Sequence, residues 1–210
     1  GCRAAKIRAH LIKSAKKIGI KKKSAEKRAA KAMSNPDSTE KIIRDAITRN
    51  YANLRICSFT ETKENLLCWS HYANSHTGIC VEFDATVLPI SYAYKVKYLD
   101  DYPEIQYPHD DAVTAFRPAL TKSKEWEYEQ EYRIIFVPGS STQPNNDGES
   151  LVLKGNEITN IYFGANMKND DKKRLMELVE NGPFRPKFWH SRISNSKFVL
   201  DFEEANLGSD

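Results

Sequence analysis

The residues in this sequence best suited to chemistry stand in one run, Trp126-Glu-Tyr-Glu-Gln-Glu-Tyr-Arg-Ile-Ile135. The alternation of charged and aromatic types predicts a strand over Trp126 to Val137, because successive strand side chains point to opposite faces. One face then carries Trp126, Tyr128, Gln130, Tyr132, Ile134 and Phe136. The other carries Glu127, Glu129, Glu131, Arg133, Ile135 and Val137. Carboxylates stacked about 7 Å apart repel one another, and Arg133 offsets only one of them. Where such a stripe meets a cleft, at least one Glu has a raised pKa and serves as a base or charge stabiliser. The alternative is an edge strand that uses charge to block aggregation. The aromatic face, with Trp126, Tyr128 and Tyr132, favours a strand seated in the fold.

A second cluster is Cys68-Trp-Ser-His-Tyr-Ala-Asn-Ser-His-Thr-Gly78. On a helix Cys68, His71 and Tyr72 share a face, with Trp69 to the side. A His-Tyr pair at a helix end beside a glycine turn can line a ligand pocket. The plainer reading is a core Trp and a His satisfied by a backbone carbonyl. Cys57, Cys68, His71, His76 and Cys80 lie close in sequence, but their spacing matches no zinc motif, so no metal site is expected. There is no Gly-x-Ser-x-Gly elbow, Walker loop or His-Glu-x-x-His, which weakens serine hydrolase, nucleoside triphosphatase and zincin readings.

The third candidate is electrostatic. Residues 1–31 hold twelve Lys/Arg and one acid, Glu26, for a net +11, so with +4 overall the remainder carries −7. Lys16, Lys17, Lys21, Lys22 and Lys23 are the residues expected to meet nucleic-acid phosphates. The alternatives are a solvated helix face, or helices packing on the acidic remainder of the chain. No aromatic residue interleaves with the lysines.

These groups need elements to hold them. Residues 3–32 read as helix on the period of Ile7, Leu11 and Ile18, with Ser24 able to cap a second helix from Ala25 to Met33. Asn35-Pro-Asp-Ser38 is a turn, and Ser38 or Thr39 starts a helix that ends near Asn50. From residue 54 the period changes to that of strands: Leu54 to Phe59, Gly78 to Phe83 and Ala93 to Leu99, with a short helix from Leu66 to Asn74. A loop over Asp100 to Asp111 precedes a helix from Ala112 that Pro118 interrupts. A surface loop, Pro138 to Glu149, follows the long strand. Ser150 to Leu153, Ile158 to Phe163, Lys187 to His190 and Lys197 to Phe202 read as further strands, with an amphipathic helix at Asp170 to Glu180. Helices and strands do not alternate regularly, which predicts an α+β fold. The expected architecture is a central mixed or antiparallel sheet, in one piece or split, with flanking helices and a basic helical N-terminal segment. The expected divisions are 1–50, 51–202 and a tail, 203–210.

No apolar run approaches the roughly 18 residues of a membrane span. No disulfide framework is spaced among the four cysteines, and Cys57 and Cys80 read as buried free thiols. A cytoplasmic protein with no membrane contact is the expectation. The start at Gly1 reads as processing or truncation.

Four segments follow in order: Ile56-Cys-Ser-Phe-Thr-Glu61, Asn65-Leu-Leu-Cys-Trp-Ser-His-Tyr-Ala73, Gly78-Ile-Cys-Val-Glu-Phe83 and Trp126-Glu-Tyr-Glu-Gln-Glu-Tyr-Arg-Ile134. Together with Ile158-Thr-Asn-Ile-Tyr-Phe-Gly164 they resemble the bacterial family catalogued as domain of unknown function 2971, over about residues 51–202. The family's opening Tyr/His-Tyr-Thr-like and Asn-Asp-Pro-Phe segments are absent, and the first third of the pattern is expected to lie outside this chain. The layout is in turn similar in motif order to ADP-ribosyltransferase-fold toxins. That resemblance implies NAD as substrate, in a bacterial toxin or anti-phage defence protein. It implies that Glu131 holds the nicotinamide ribose hydroxyl and stabilises an oxocarbenium-like transition state, that Glu129 orients the acceptor, and that Tyr72 stacks on the nicotinamide. Trp69, Trp126 and Arg133 are the further candidate binding residues.

Two other functions compete with an NAD-consuming transferase or glycohydrolase. One is a metal-independent nuclease or nucleic-acid-binding module, with His71 as general acid–base and the basic helices on phosphate. The other is a non-enzymatic sensor in which the Glu stripe pairs with a basic partner protein or with the N-terminal helices of a second copy.

Overall fold

The computed structural model describes residues 2–104, 108, 112–139 and 150–205. In chain order the elements are α1 (Cys2–Lys17), α2 (Lys22–Met33), α3 (Pro36–Ala52), β1 (Arg55–Thr60), α4 (Leu66–Tyr72), β2 (Ile79–Phe83), β3 (Tyr94–Lys95) and β4 (Lys97–Leu99). They continue with α5 (Ala112–Phe116), β5 (Thr121–Ser123), β6 (Glu131–Phe136), β7 (Ile158–Phe163), α6 (Asn169–Glu180), β8 (Lys187–Ile193) and β9 (Leu200–Glu204). The class is α+β, as expected. The loops predicted over 100–111 and 138–149, and the tail, fall in part outside the described residues. The chain forms two compact units: residues 1–54 with 101–121, and residues 55–100 with 122–210.

In the first unit the long basic helix breaks where the sequence shows no proline. Gly19, at φ +82°, sits just past α1, and its N–H donates to the Lys16 carbonyl while that of Ile20 donates to Ala15. These two bonds close a Schellman C-cap, which glycine makes without a Cβ penalty. Helix α2 therefore starts at Lys22, with no side chain capping it, and Ser24 is not its cap. Asn35 Oδ1 accepts the Asp37 N–H at 3.0 Å, so α3 opens on an Asn cap with Pro36 in first position, ahead of the Ser38 or Thr39 start expected.

Apart from the two-stranded pairing of β4 with β5, the described strands form two sheets, both in the second unit. One runs β1-β6-β3 and is antiparallel throughout. The other runs β2-β7-β8-β9, in which only β7 and β8 are parallel. A parallel pair needs a crossover, and α6 supplies it. Alternation along β7 sends Ile161 and Phe163 to a core with Met176 of α6 and Phe188 of β8. It sends Tyr162 to the opposite face, where it packs with Trp69, Ala73 and Leu200. The central sheet is thus split, and β1 and β2 are edge strands of its two parts. The rings of Phe59 on β1 and Phe83 on β2 meet edge to face, with centroids 5.4 Å apart.

The turn from α4 to β2 places Asn74, Ser75 and His76 all at positive φ. Side chains other than glycine adopt that region at a cost, so the surroundings must impose it. The loop after β7 does so: Asn166 donates its N–H to His76 O at 2.9 Å and its Nδ2 to Ser75 O at 3.1 Å. This clasp requires Gly164, since a Cβ there would stand 2.1 Å from His76 O.

The predicted strand Trp126 to Val137 is shorter than its alternation implies. Lys124–Glu129 is a 3₁₀ helix, Gln130 is left-handed at φ 46°, and the strand begins only at Glu131. Ser150 to Leu153 makes a single bridge residue at Leu151 rather than a strand.

Candidate active site in the split between the sheets

The register of β1 against β6 pairs Ser58 with Arg133 and Thr60 with Glu131. Directly opposed residues project to the same face. All four side chains therefore look toward one side of the sheet, where a cavity of about 490 Å³ opens. Helix α4 crosses it, because Asn65 fixes its start: Asn65 Oδ1 accepts the N–H groups of Leu67 (2.9 Å) and Cys68 (3.2 Å). The same side chain donates to Tyr128 O at 2.8 Å, tying the helix to the 3₁₀ turn. Trp69 is buried under the cavity, and its indole N–H donates to Lys63 O at 2.6 Å.

The 3₁₀ turn is what brings Glu129 in. Both Glu129 and Glu131 are 4% exposed, and both carboxylates line the cavity. Lys122, on β5, ion-pairs with both: with Glu131 at 3.2 Å and more closely with Glu129. Its ammonium also lies 4.9 Å from the centroid of the Trp126 ring. Arg133 grips Glu131 with two bonds, Nε to Oε1 at 2.7 Å and Nη2 to Oε2 at 2.9 Å. Tyr72 donates its hydroxyl to Glu129 Oε1 at 2.6 Å.

These contacts set the charge states. Burial pushes the Glu131 carboxyl upward, but the Arg133 hydrogen bonds, with Ser58, the Arg133 charge and Lys122, bring it below the ordinary carboxylate range. Burial disfavours the Lys122 ammonium, yet its bonds to Glu129 and Glu131 leave its pKa raised. The Tyr72 phenol is pushed well up, first by its bond to Glu129 and then by burial. The result is two carboxyl groups interleaved with Lys122 and Arg133 in a site of low exposure.

The expected three-carboxylate stripe is replaced by this pair. Glu127 is exposed on the 3₁₀ turn, away from the other two. Glu131 departs from the raised pKa that a bare stripe implies, because the chain supplies two cations where the sequence pattern showed one. Nor do Glu129 and Glu131 offer a free acidic face to a basic partner, since Lys122 and Arg133 already occupy them.

Of the other candidates, Tyr72, Trp69 and Arg133 line the cavity, and Trp126 and His71 do not. Trp126 backs Lys122. His71 is exposed, its ring 6.3 Å from those of both Tyr72 and Trp126. Lys16, Lys17, Lys21, Lys22 and Lys23 are all exposed around the Gly19 turn of the other unit. Sequence reasoning missed Lys122, Ser58, Thr60 and Lys63. The need for a second cation was readable from the unbalanced acids; which lysine met it was not. Cys57, Cys68 and Cys80 are free and half-buried, and burial pushes the Cys80 thiol up to about 11.

Among the described residues no cluster of His, Cys, Asp and Glu could hold a metal ion, and no helix is long and apolar enough to cross a membrane. No solved structure matches the chain. The model of one family, described as Protein of unknown function (DUF2971), matches residues 68–134. That span is narrower than the 51–202 of the motif resemblance, but it runs from Cys68 on α4 through Lys122, Glu129, Glu131 and Arg133. By this match residues 68–134 are similar to the DUF2971 family.

Proposed function

We propose that the second unit cleaves the nicotinamide–ribose bond of NAD and passes ADP-ribose to an acceptor or to water, in the setting of a bacterial toxin or defence protein. The observation that carries the reading is a buried Glu131, bonded to Arg133 and Lys122, in an aromatic-lined cavity between two sheet edges. Loss of nicotinamide breaks the C1′–N bond, and the electron pair leaves with the ring nitrogen, neutralising the pyridinium. Positive charge then develops on the ribose C1′ and its ring oxygen. A fixed carboxylate beside that carbon lowers the barrier, and Glu131 is held ionised for that role by Arg133 and Lys122. The acceptor oxygen attacks C1′ and gives up its proton to Glu129, a carboxylate that bonds to the Tyr72 hydroxyl. Tyr72, exposed at the cavity rim, supplies a ring face for the nicotinamide, with Trp69 buried beneath.

The direct test is to mix the protein with NAD and follow tryptophan fluorescence together with nicotinamide release. Saturable quenching with release of free nicotinamide is expected. A folded protein that does neither removes the reading.

For the first unit we propose contact with nucleic-acid phosphates through the five exposed lysines around the Gly19 turn. Their crowding on two successive helix ends favours it. Affinity for duplex DNA or RNA is expected to fall linearly on a log–log plot against salt, with a slope reporting several phosphates. Binding that is absent at low salt, or indifferent to salt, rules it out.

A further inference from the structure

The split between the sheets holds more than the cavity at Glu131. A second cavity, of about 770 Å³, opens beside it, lined by Phe59, Phe83, Tyr132 and Glu82. The two share the stretch Ser58 to Thr60, together with Thr62, Lys63 and Cys80. They are two lobes of one cleft, and Lys63 stands where they join. Each lobe is within the size range of small-molecule sites.

Lys63 differs from the other cations of the cleft. Lys122 and Arg133 are committed to Glu129 and Glu131. The Lys63 ammonium lies over two rings, 5.4 Å from the centroid of Tyr162 and 5.5 Å from that of Phe202. Among the described residues no carboxylate pairs with it. Ring faces attract the charge without cancelling it. The backbone beneath is pinned by the Trp69 indole, so the position is fixed while the ammonium keeps its donors. The positive charge of a half-buried lysine at the waist of a two-lobed cleft is matched by an anion at the middle of the ligand.

The outer lobe has the complementary chemistry for a nucleoside. Phe59, Phe83 and Tyr132 offer ring surface. Glu82 Oε1 accepts Asn160 Nδ2 at 2.7 Å and the Thr159 hydroxyl at 3.3 Å, while Oε2 accepts only the Tyr162 hydroxyl, at 2.5 Å, among the described residues. The Asn160 amide is itself fixed by the Trp189 indole, which donates to its Oδ1 at 2.8 Å. A carboxylate oxygen carries two lone pairs, so this oriented group has capacity left for a ribose hydroxyl.

We infer that Lys63 is the diphosphate contact of a dinucleotide bound along the whole cleft, with the adenosine half in the Glu82 lobe and the reacting half in the Glu131 lobe. This rests on the NAD reading for which half reacts, but the lysine's role is testable without catalysis.

The test uses ADP-ribose, which has the diphosphate and no bond to cleave, titrated calorimetrically into the full chain, Lys63→Met and Lys63→Arg. Methionine keeps the stem that covers Tyr162 and Phe202, so the core is preserved and only the charge is lost. Binding by the wild type, about tenfold or greater weakening in Lys63→Met and substantial recovery in Lys63→Arg are expected. Adenosine, which lacks the diphosphate, should bind Lys63→Met and wild type alike. No ADP-ribose binding by the wild type, or equal affinity in Lys63→Met, overturns the inference. Lys63-dependent binding of ADP-ribose without any NAD cleavage leaves the inference standing and removes the transferase reading. NAD cleavage with an unchanged KM in Lys63→Met does the reverse.

Discussion

Glu131→Gln is expected to lower the rate of NAD cleavage by about 10³-fold while leaving NAD affinity within about twofold, because the charge it removes acts chiefly on the transition state. Glutamine keeps the size of the side chain and an oxygen for Arg133, so what is lost is the anion beside C1′. A rapid-mixing measurement of nicotinamide release, with binding followed separately by fluorescence, distinguishes the two quantities. Folded Glu131→Gln that cleaves at the wild-type rate would falsify the assignment of Glu131. The pH profile gives a second readout. Since the folded carboxyl is held below its ordinary value of 4.5, the acid limb due to Glu131 lies below that pH. The same depression contributes stability that is fully present above 4.5 and is lost as pH falls through the lower folded value. A wild-type rate already halved at neutral pH by protonation of Glu131 would contradict the ion pairing described.

How much of this was legible in the sequence depends on which physical signal each feature leaves. The β1, β2 and β7 strands and the helices α4 and α6 follow from their apolar periods and an Asn or turn at their ends, and these were readable within a residue or two. The pairing of Glu131 with Arg133 was readable too, because two residues apart on a strand is one face. Glu129 arrived beside them by another route. Trp-Glu-Tyr-Glu-Gln-Glu alternates as a strand does, but the chain coils there into a 3₁₀ turn ended by a left-handed Gln130. Period two cannot register that, since the 3₁₀ turn's own period of three is too short-lived to show in six residues. Ser58, Thr60 and Lys63 reach the cleft through strand register and a loop clasp, both long-range facts that no local pattern encodes. The split of the sheet is of the same kind: each strand was readable, whereas which edges stayed unpaired was a matter of topology.

The cation that the sequence left unplaced carries the second large expected effect. Lys122→Met should destabilise the second unit by about 3–5 kcal/mol at neutral pH, the usual result of removing one partner from a buried ion pair. Lys122 is only 22% exposed on its side chain and serves two carboxylates that are each 5% exposed. Methionine refills the stem against Trp126 but leaves two buried anions facing each other, with Arg133 bonded to Glu131. The cheapest response is for one of the two to take a proton, so the variant gains a carboxyl whose folded pKa is raised above its unfolded value. The sign then follows: a raised folded pKa means that protons stabilise the folded form, so the deficit against wild type narrows as pH falls from 7 toward 5. Urea titrations of wild type and variant at pH 7 and pH 5 measure this directly. A deficit that stays constant over that range would mean the two carboxylates do not share Lys122 in the way their contacts imply. A double variant, Lys122→Met with Glu129→Gln, separates charge from packing: removing the second anion should recover much of the lost stability, whereas a purely steric defect would be left unchanged.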